Sequence, residues 1–125
     1  MNPNARNAYL ASSVTTASPA RLLVMLCERL VLDIERGLQA QQAADFAGAH
    51  TQLIHAQDIL TELTTSLRPD VWEGAASLTA LYDHMSRQLV HANIHRDASA
   101  TEHCLGLARQ LCNTWREAAL AAVAS

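Results

Sequence analysis

The chain has no lysine: all nine of its basic residues are arginine, set against twelve acidic ones for a net charge of −3. No basic patch stands out, so the electrostatic footprint of a nucleic-acid binder is missing. Aromatic residues are also scarce, with one Phe, two Trp and two Tyr, and only four Gly and three Pro interrupt the 125 residues. No apolar run approaches the ~20 residues that would span a bilayer. The opening "MNPNARNAYLASS" lacks the apolar stretch of a signal peptide, which makes the cytoplasm the expected compartment. Three cysteines, Cys27, Cys104 and Cys112, form no CxxC. Cys104 and Cys112 lie eight residues apart on one expected helix, about 12 Å along its axis and too far for a disulfide. They are expected to be small buried residues.

What remains is leucine and alanine, both helix formers, in a chain that is 50% hydrophobic. The expected class is all-α, and the length suits one domain. Start and stop signals divide it into an N-terminal arm, residues 1–17, and a helical domain, residues 18–125. Ser18 and Pro19 open a first helix running to about Gln41. A second runs from near Asp45 to near Leu67, before Pro69. A third follows Asp70, with Glu73 three residues on in a capping-box-like pair, and reaches about His95. A fourth starts around Ser99, with Glu102 three residues later, and reaches about Ala122. Short connections predict an antiparallel four-helix bundle.

Each helix carries an apolar stripe of period 3.6. The expected core comprises Leu23, Leu26, Cys27, Leu30, Ile34 and Leu38 on the first helix and Ala49, Leu53, Ala56, Leu60 and Leu63 on the second. The third contributes Leu78, Leu81, Tyr82, Met85, Leu89 and Ala92, and the fourth Cys104, Leu107, Ala108, Leu111, Trp115, Ala118 and Ala122. Some apolar residues are left over. Met25 and Leu32 fall within the polar arc of the first helix, beside Arg21, Glu28, Arg29, Asp33, Glu35 and Arg36. Ile54 falls among His50, Thr51, Asp58 and Thr61; Trp72, Ala76, Val90 and Ile94 form a second stripe on the third helix. Leu120 is also misplaced, near the chain end. Scattered exposed apolar residues are ordinary, and an N-terminal arm or an oligomer contact could cover them. Equally, a Met, branched aliphatics and a Trp on polar faces suit a helix-in-groove contact.

The chain resembles the flagellin-specific export chaperones of bacterial flagella, the FliS family. The resemblance is carried by Tyr9 with "SSVTTASPARLLVML" (12–26), "HAQDILTEL" (55–63), "LTALYDHMSRQLVHANIHRD" (78–97) and "LCNTWREAA" (111–119), in order and at family spacing. Cys27 stands where the family usually has an aromatic. The resemblance implies an antiparallel helical bundle that binds the disordered C-terminal segment of flagellin, prevents its premature polymerisation and presents it to the flagellar export gate. On that reading Met25, Leu32, Ile54, Trp72, Val90 and Ile94 meet the client. It also implies that the arm, through Tyr9, Leu10 and Val14, folds over the binding surface when no client is present. No cofactor, enzymatic activity or membrane insertion is implied, and a weak homodimer stays open.

Two other chemistries were weighed. His84, His91 and His95 share a face of the third helix, and the i, i+4 spacing of His91 and His95 suits one metal ion. No Cys or assignable carboxylate joins them, so a solvated polar face without metal is expected. The functional alternative is a histidine phosphotransfer domain with His50 as acceptor. Thr51, Gln52, Leu53 and Ile54 follow His50 where such domains carry Lys and Gly. There is no GxSxG and no phosphate-cradling glycine loop. Asp33, Asp58 and Asp83 are expected on solvated arcs without partners.

Overall fold

The structure is a computed structural model that describes residues 19–67 and 74–124. Four helices make up these residues: α1 (Pro19–Gln42), α2 (Phe46–Ser66), α3 (Ala75–Ile94) and α4 (Ala98–Ala124). In ring order α1 packs on α2, α2 on α3, α3 on α4, and α4 back on α1. The expected all-α four-helix bundle is what the chain forms. The Asp70–Glu73 pair lies outside the described residues.

Two of the connections are built alike. Ala44 and Arg96 both take a left-handed backbone, with φ of 56° and 53°. Each ends its helix with a bond from the next amide back across the last turn: Asp45 N–H to the Ala40 carbonyl (2.8 Å) and Asp97 N–H to the Ala92 carbonyl (2.9 Å). These bonds satisfy carbonyls that a helix end otherwise leaves unpaired. In both turns the following aspartate then caps the next helix. Asp45 Oδ1 accepts from Gly48 N–H at 3.0 Å. A Cβ on Gly48 would come within 2.3 Å of the Asp45 carboxylate, so the cap needs the glycine. Asp97 Oδ1 accepts from the amides of Ser99 and Ala100 at 3.1 and 3.2 Å. The cap of α4 is therefore Asp97 rather than the expected Ser99. The Ala100 amide, with His91 beside it, holds the Asp97 carboxyl below its ordinary range.

A buried polar knot joins three helices at this end of the bundle. Thr101 of α4 donates to the Gln41 side-chain oxygen of α1 (2.7 Å), and the Gln41 amide donates to the Ala92 carbonyl of α3 (3.0 Å). Both side chains are buried, so each bond replaces water that cannot reach them. Ion pairs set the α1–α4 register further along: Arg109 with Glu35 at 3.0 Å and Arg116 with Glu28 at 3.6 Å. Later α4 residues meet earlier α1 residues, as antiparallel packing requires.

The core holds the central residues of all four expected stripes: Leu30 and Ile34; Leu53, Leu60 and Leu63; Tyr82, Met85 and Leu89; Cys104, Ala108 and Leu111. Val24, Ile59, Ala100, Leu105 and Cys112 are buried as well, although the stripes omitted them. All three cysteines are buried free thiols, as expected. Burial pushes Cys27 and Cys104 up to about 12, which keeps both protonated and unreactive.

Asp33 overturns its reading as a solvated, unpartnered carboxylate. It is fully buried at the α1–α2 contact, ion-paired with Arg29 Nε at 3.1 Å and with His55 Nδ1. The cause lies one turn on, at Gly37. There a Cβ would come within 2.7 Å of Leu53, so α2 approaches α1 closely and covers the edge of the polar arc. Asp83 also has a partner, Arg87 one turn on.

Two predictions follow from these contacts. Ala44→Gly relieves the cost of a left-handed backbone at a β-carbon and should raise unfolding stability by about 1 kcal/mol in urea melts. Arg96→Gly should give no such gain, because Arg96 lies over the Phe46 ring at 4.1 Å and that contact is lost. Removing both partners in an R29Q/H55L double variant should cost about 2–3 kcal/mol, since Asp33 then stays buried without its ion pair and its hydrogen bond. If that variant melts like the parent, Asp33 does not depend on these partners.

Candidate functional site

Helix register decides where the leftover apolar residues end up. Asn93 of α3 donates to His50 Nδ1 of α2 at 2.8 Å, which fixes both helices at one point of their seam. One turn on from His50 lies Ile54, and one turn back from Asn93 lies Val90. Because the helices are antiparallel, both steps run the same way along the bundle, so Ile54 and Val90 flank the same seam. They are 38% and 42% exposed, and Ile94, one turn beyond Val90, is 69% exposed.

Further along this seam lies a groove of about 470 Å³, and of its lining the apolar stripes single out only Ala76. It is lined by Thr61, Thr64 and Thr65 of α2 and by Ala76, Thr79, Ala80, Asp83 and Ser86 of α3. These threonines look polar in the sequence. In the fold their hydroxyls bond back to carbonyls of their own helices: Thr61 to Gln57, Thr64 to Leu60, Thr65 to Glu62 and Thr79 to Ala75. With the oxygens engaged, methyl groups remain to line the groove, and Ala76 and Ala80 let another backbone come close. The signal was present as a concentration of Thr and Ala at these positions, but it does not read as apolar until the hydroxyl partners are known.

Met25 and Leu32 lie on the opposite side of the ring, at the α1–α4 seam. Leu32 is half-buried in a groove of about 490 Å³ with Glu28, Val31, Glu35, Arg109, Cys112, Asn113 and Arg116. Met25, 52% exposed, sits one turn before Glu28. Leu120, 71% exposed, sits one turn after Arg116, the ion-pair partner of Glu28. Met25 and Leu120 are thus brought towards each other, which gives Leu120 a place that its position near the chain end had obscured.

The candidate residues therefore do not form one pocket. Val90 and Ile94 mark the α2–α3 seam; Ile54 stands between that seam and a groove of about 260 Å³ shared with Arg29 of α1; Met25 and Leu32 mark the α1–α4 seam. Trp72, Tyr9, Leu10 and Val14 lie outside the described residues. Another groove, between α3 and α4, is mainly apolar and measures about 470 Å³. Leu78, Leu81, Leu107, Leu111, Trp115 and Ala118 line it. The stripes place all six in the core; Leu111 is buried there, Leu78, Leu81, Leu107 and Trp115 are half-buried against it, and Ala118 is exposed.

His91 and His95 pack as their i, i+4 spacing suggests, but a carboxylate, Asp97, joins them against expectation, and His84 is turned to another helix. His91 Nε2 lies 3.1 Å from Asp97 Oδ2, and its ring packs on His95 with centroids 4.6 Å apart. His84 instead meets His103 on α4. Among the described residues, no three or more His, Cys, Asp or Glu side chains are grouped to hold a metal ion. No helix among them is long and apolar enough to cross a membrane.

The fold agrees with comparison to known proteins. The bundle superposes on the crystal structure of a flagellar chaperone from bacteria with a TM-score of 0.75, covering 92% of this chain and 94% of that one at 21% identity. In sequence, the chain is 35% identical to the flagellar secretion chaperone FliS of Bacillus subtilis (strain 168), over 92% of its own length and 86% of that protein. It is 32% identical to the flagellar secretion chaperone FliS of Escherichia coli (strain K12), over 87% and 82% respectively. The family model described as flagellar protein FliS matches residues 1–122, and on these grounds the chain belongs to the FliS family of flagellar secretion chaperones.

Proposed function

We propose that this chaperone binds the C-terminal segment of flagellin, folds it into helices against its own surface, and so keeps flagellin from polymerising before export. The observation that carries the reading is the α2–α3 seam, where the exposed Ile54, Val90 and Ile94 continue a groove lined by threonine methyls and alanines. A guest helix can approach small residues closely and bury its own apolar side chains there. Each Leu or Ile side chain fully buried in such a contact contributes about 1.5–3 kcal/mol. A few of them exceed the cost of ordering a disordered segment, about 2–5 kcal/mol.

The arrangement favours wrapping over capture in one cleft. Met25 and Leu32 lie across the bundle from Val90 and Ile94, so a single straight helix cannot reach both sets. A segment that folds as two helices joined by a turn can pass from one seam to the other. Residues 1–17 act in this proposal as a placeholder, with Tyr9, Leu10 and Val14 covering part of the surface until the client displaces them. The loaded complex is then the form handed to the flagellar export gate.

Calorimetric titration with a flagellin C-terminal peptide, followed in parallel by circular dichroism, tests this directly. Binding should come with a gain of helix and a negative heat-capacity change. Ile54→Asp, Ile94→Asp and Met25→Asp should each weaken binding by tenfold or more while leaving the melting temperature nearly unchanged. Binding that is indifferent to all three substitutions would remove these residues from the contact. Absence of binding to the peptide would refute the client assignment itself.

A further inference from the structure

The α3–α4 seam carries a pair of histidines whose geometry has no role in holding a client. His84 of α3 and His103 of α4 are both exposed, and their Nε2 atoms are 3.3 Å apart. The ring centroids are 5.6 Å apart and the planes nearly perpendicular, at 87°. With the nitrogens so much closer than the centroids, the two Nε2 atoms face each other across the gap. Two imidazoles bound to one tetrahedral zinc ion, each at about 2.0–2.1 Å, hold their nitrogens about 3.3 Å apart. The spacing found here matches that value before any ion enters.

We propose that His84 and His103 form a zinc-binding site that joins α3 to α4, with water in the two remaining coordination positions. The helices supply the spacing. His103 is held opposite His84 by the same antiparallel register that places the Cys104 thiol on the Met85 carbonyl (3.3 Å), one residue further along each helix. To bind the ion, each ring must tilt by about 35° from the line joining the nitrogens, the geometry that a tetrahedral angle imposes. Both side chains are exposed and free to make that movement without disturbing the core. Without metal, one ring carries its proton on Nε2 and donates to the other; to bind zinc that ring moves the proton to Nδ1 by exchange with water, so two neutral rings each present an Nε2 lone pair and no net proton is released.

Other zinc ligands in the described residues are less available. The three thiols are buried, and burial keeps them protonated. His91, which the sequence pairs with His95, has its Nε2 turned to Asp97. His55 is turned to Asp33 and His50 to Asn93. The site also lies at the end of the apolar α3–α4 groove, because Leu81 is one turn before His84 and Leu107 one turn after His103.

The test is a titration of the full chain with zinc chloride, read by calorimetry and by thermal melting, with chelator reversal. One zinc per chain is expected, and zinc about a hundredfold above its Kd should raise the melting temperature by roughly 10 °C. His84→Gln and His103→Gln should each lower the affinity at least tenfold, while His95→Gln leaves it unchanged. Nitrogen-detected NMR of the imidazoles should show the Nε2 resonances of His84 and His103 moving together on saturation. No stabilisation of the parent chain by zinc, or a stabilisation that persists in both His84→Gln and His103→Gln, would overturn the proposal.

Discussion

With only residues 43–45 between α1 and α2, and only 95–97 between α3 and α4, the chain must reverse direction in three residues each time. It does so with one device used twice: a left-handed residue closes one helix, and the aspartate after it caps the next. The Gln41–Thr101–Ala92 bonds then lock the end of α1 against the end of α3 and the start of α4. Gln41 and Thr101 are buried, so a shift of one helix along another would strand polar atoms away from water. Every later feature of the surface depends on this register, because the register determines which residue of one helix faces which residue of the next.

The first consequence is the placement of surplus apolar surface. Four amphipathic stripes enclose one core, and among the described residues the side chains beyond the stripe edges have no place in it. Register gathers them along two opposite seams instead of scattering them. The α2–α3 seam adds threonines whose hydroxyls are already bonded to their own helices, which turns a nominally polar stretch into a methyl-lined trough. The apolar surface is interrupted by charged pairs such as Arg109–Glu35 and Arg116–Glu28, which limit self-adhesion.

A second consequence concerns polar groups drawn inward. Asp33 belongs by angle to the outer arc of α1, beside Glu28, Arg29 and Glu35, yet it is buried. Gly37 has no side chain to hold α2 away, and α2 therefore closes over it. The carboxylate survives there because Arg29 supplies opposite charge and His55 a hydrogen bond, both from the rim while remaining half in water. The histidines follow the same logic of neighbours. His91 and His95 have the metal-like spacing within one helix, but the facing pair of ring nitrogens is His84 with His103, a contact between helices.

The sequence by itself determined the class, the number of helices, their limits to within a few residues, and most of the core, because the period of 3.6 is a property of each helix alone. It also supplied the family likeness, and it singled out Met25, Ile54, Val90 and Ile94 as apolar residues outside the stripes. Tertiary structure alone decided that Leu32 sits half-buried in a groove, that Leu78, Leu81, Leu107 and Trp115 border an open trough, and that Asp33 is covered. It also decided that His103 would be the partner of His84. The reason is the same throughout: hydrophobic periodicity records which way a side chain points from its own axis. What it meets there is set by the distance and register of a neighbouring helix, and those depend on turns, a glycine and a buried glutamine far along the chain.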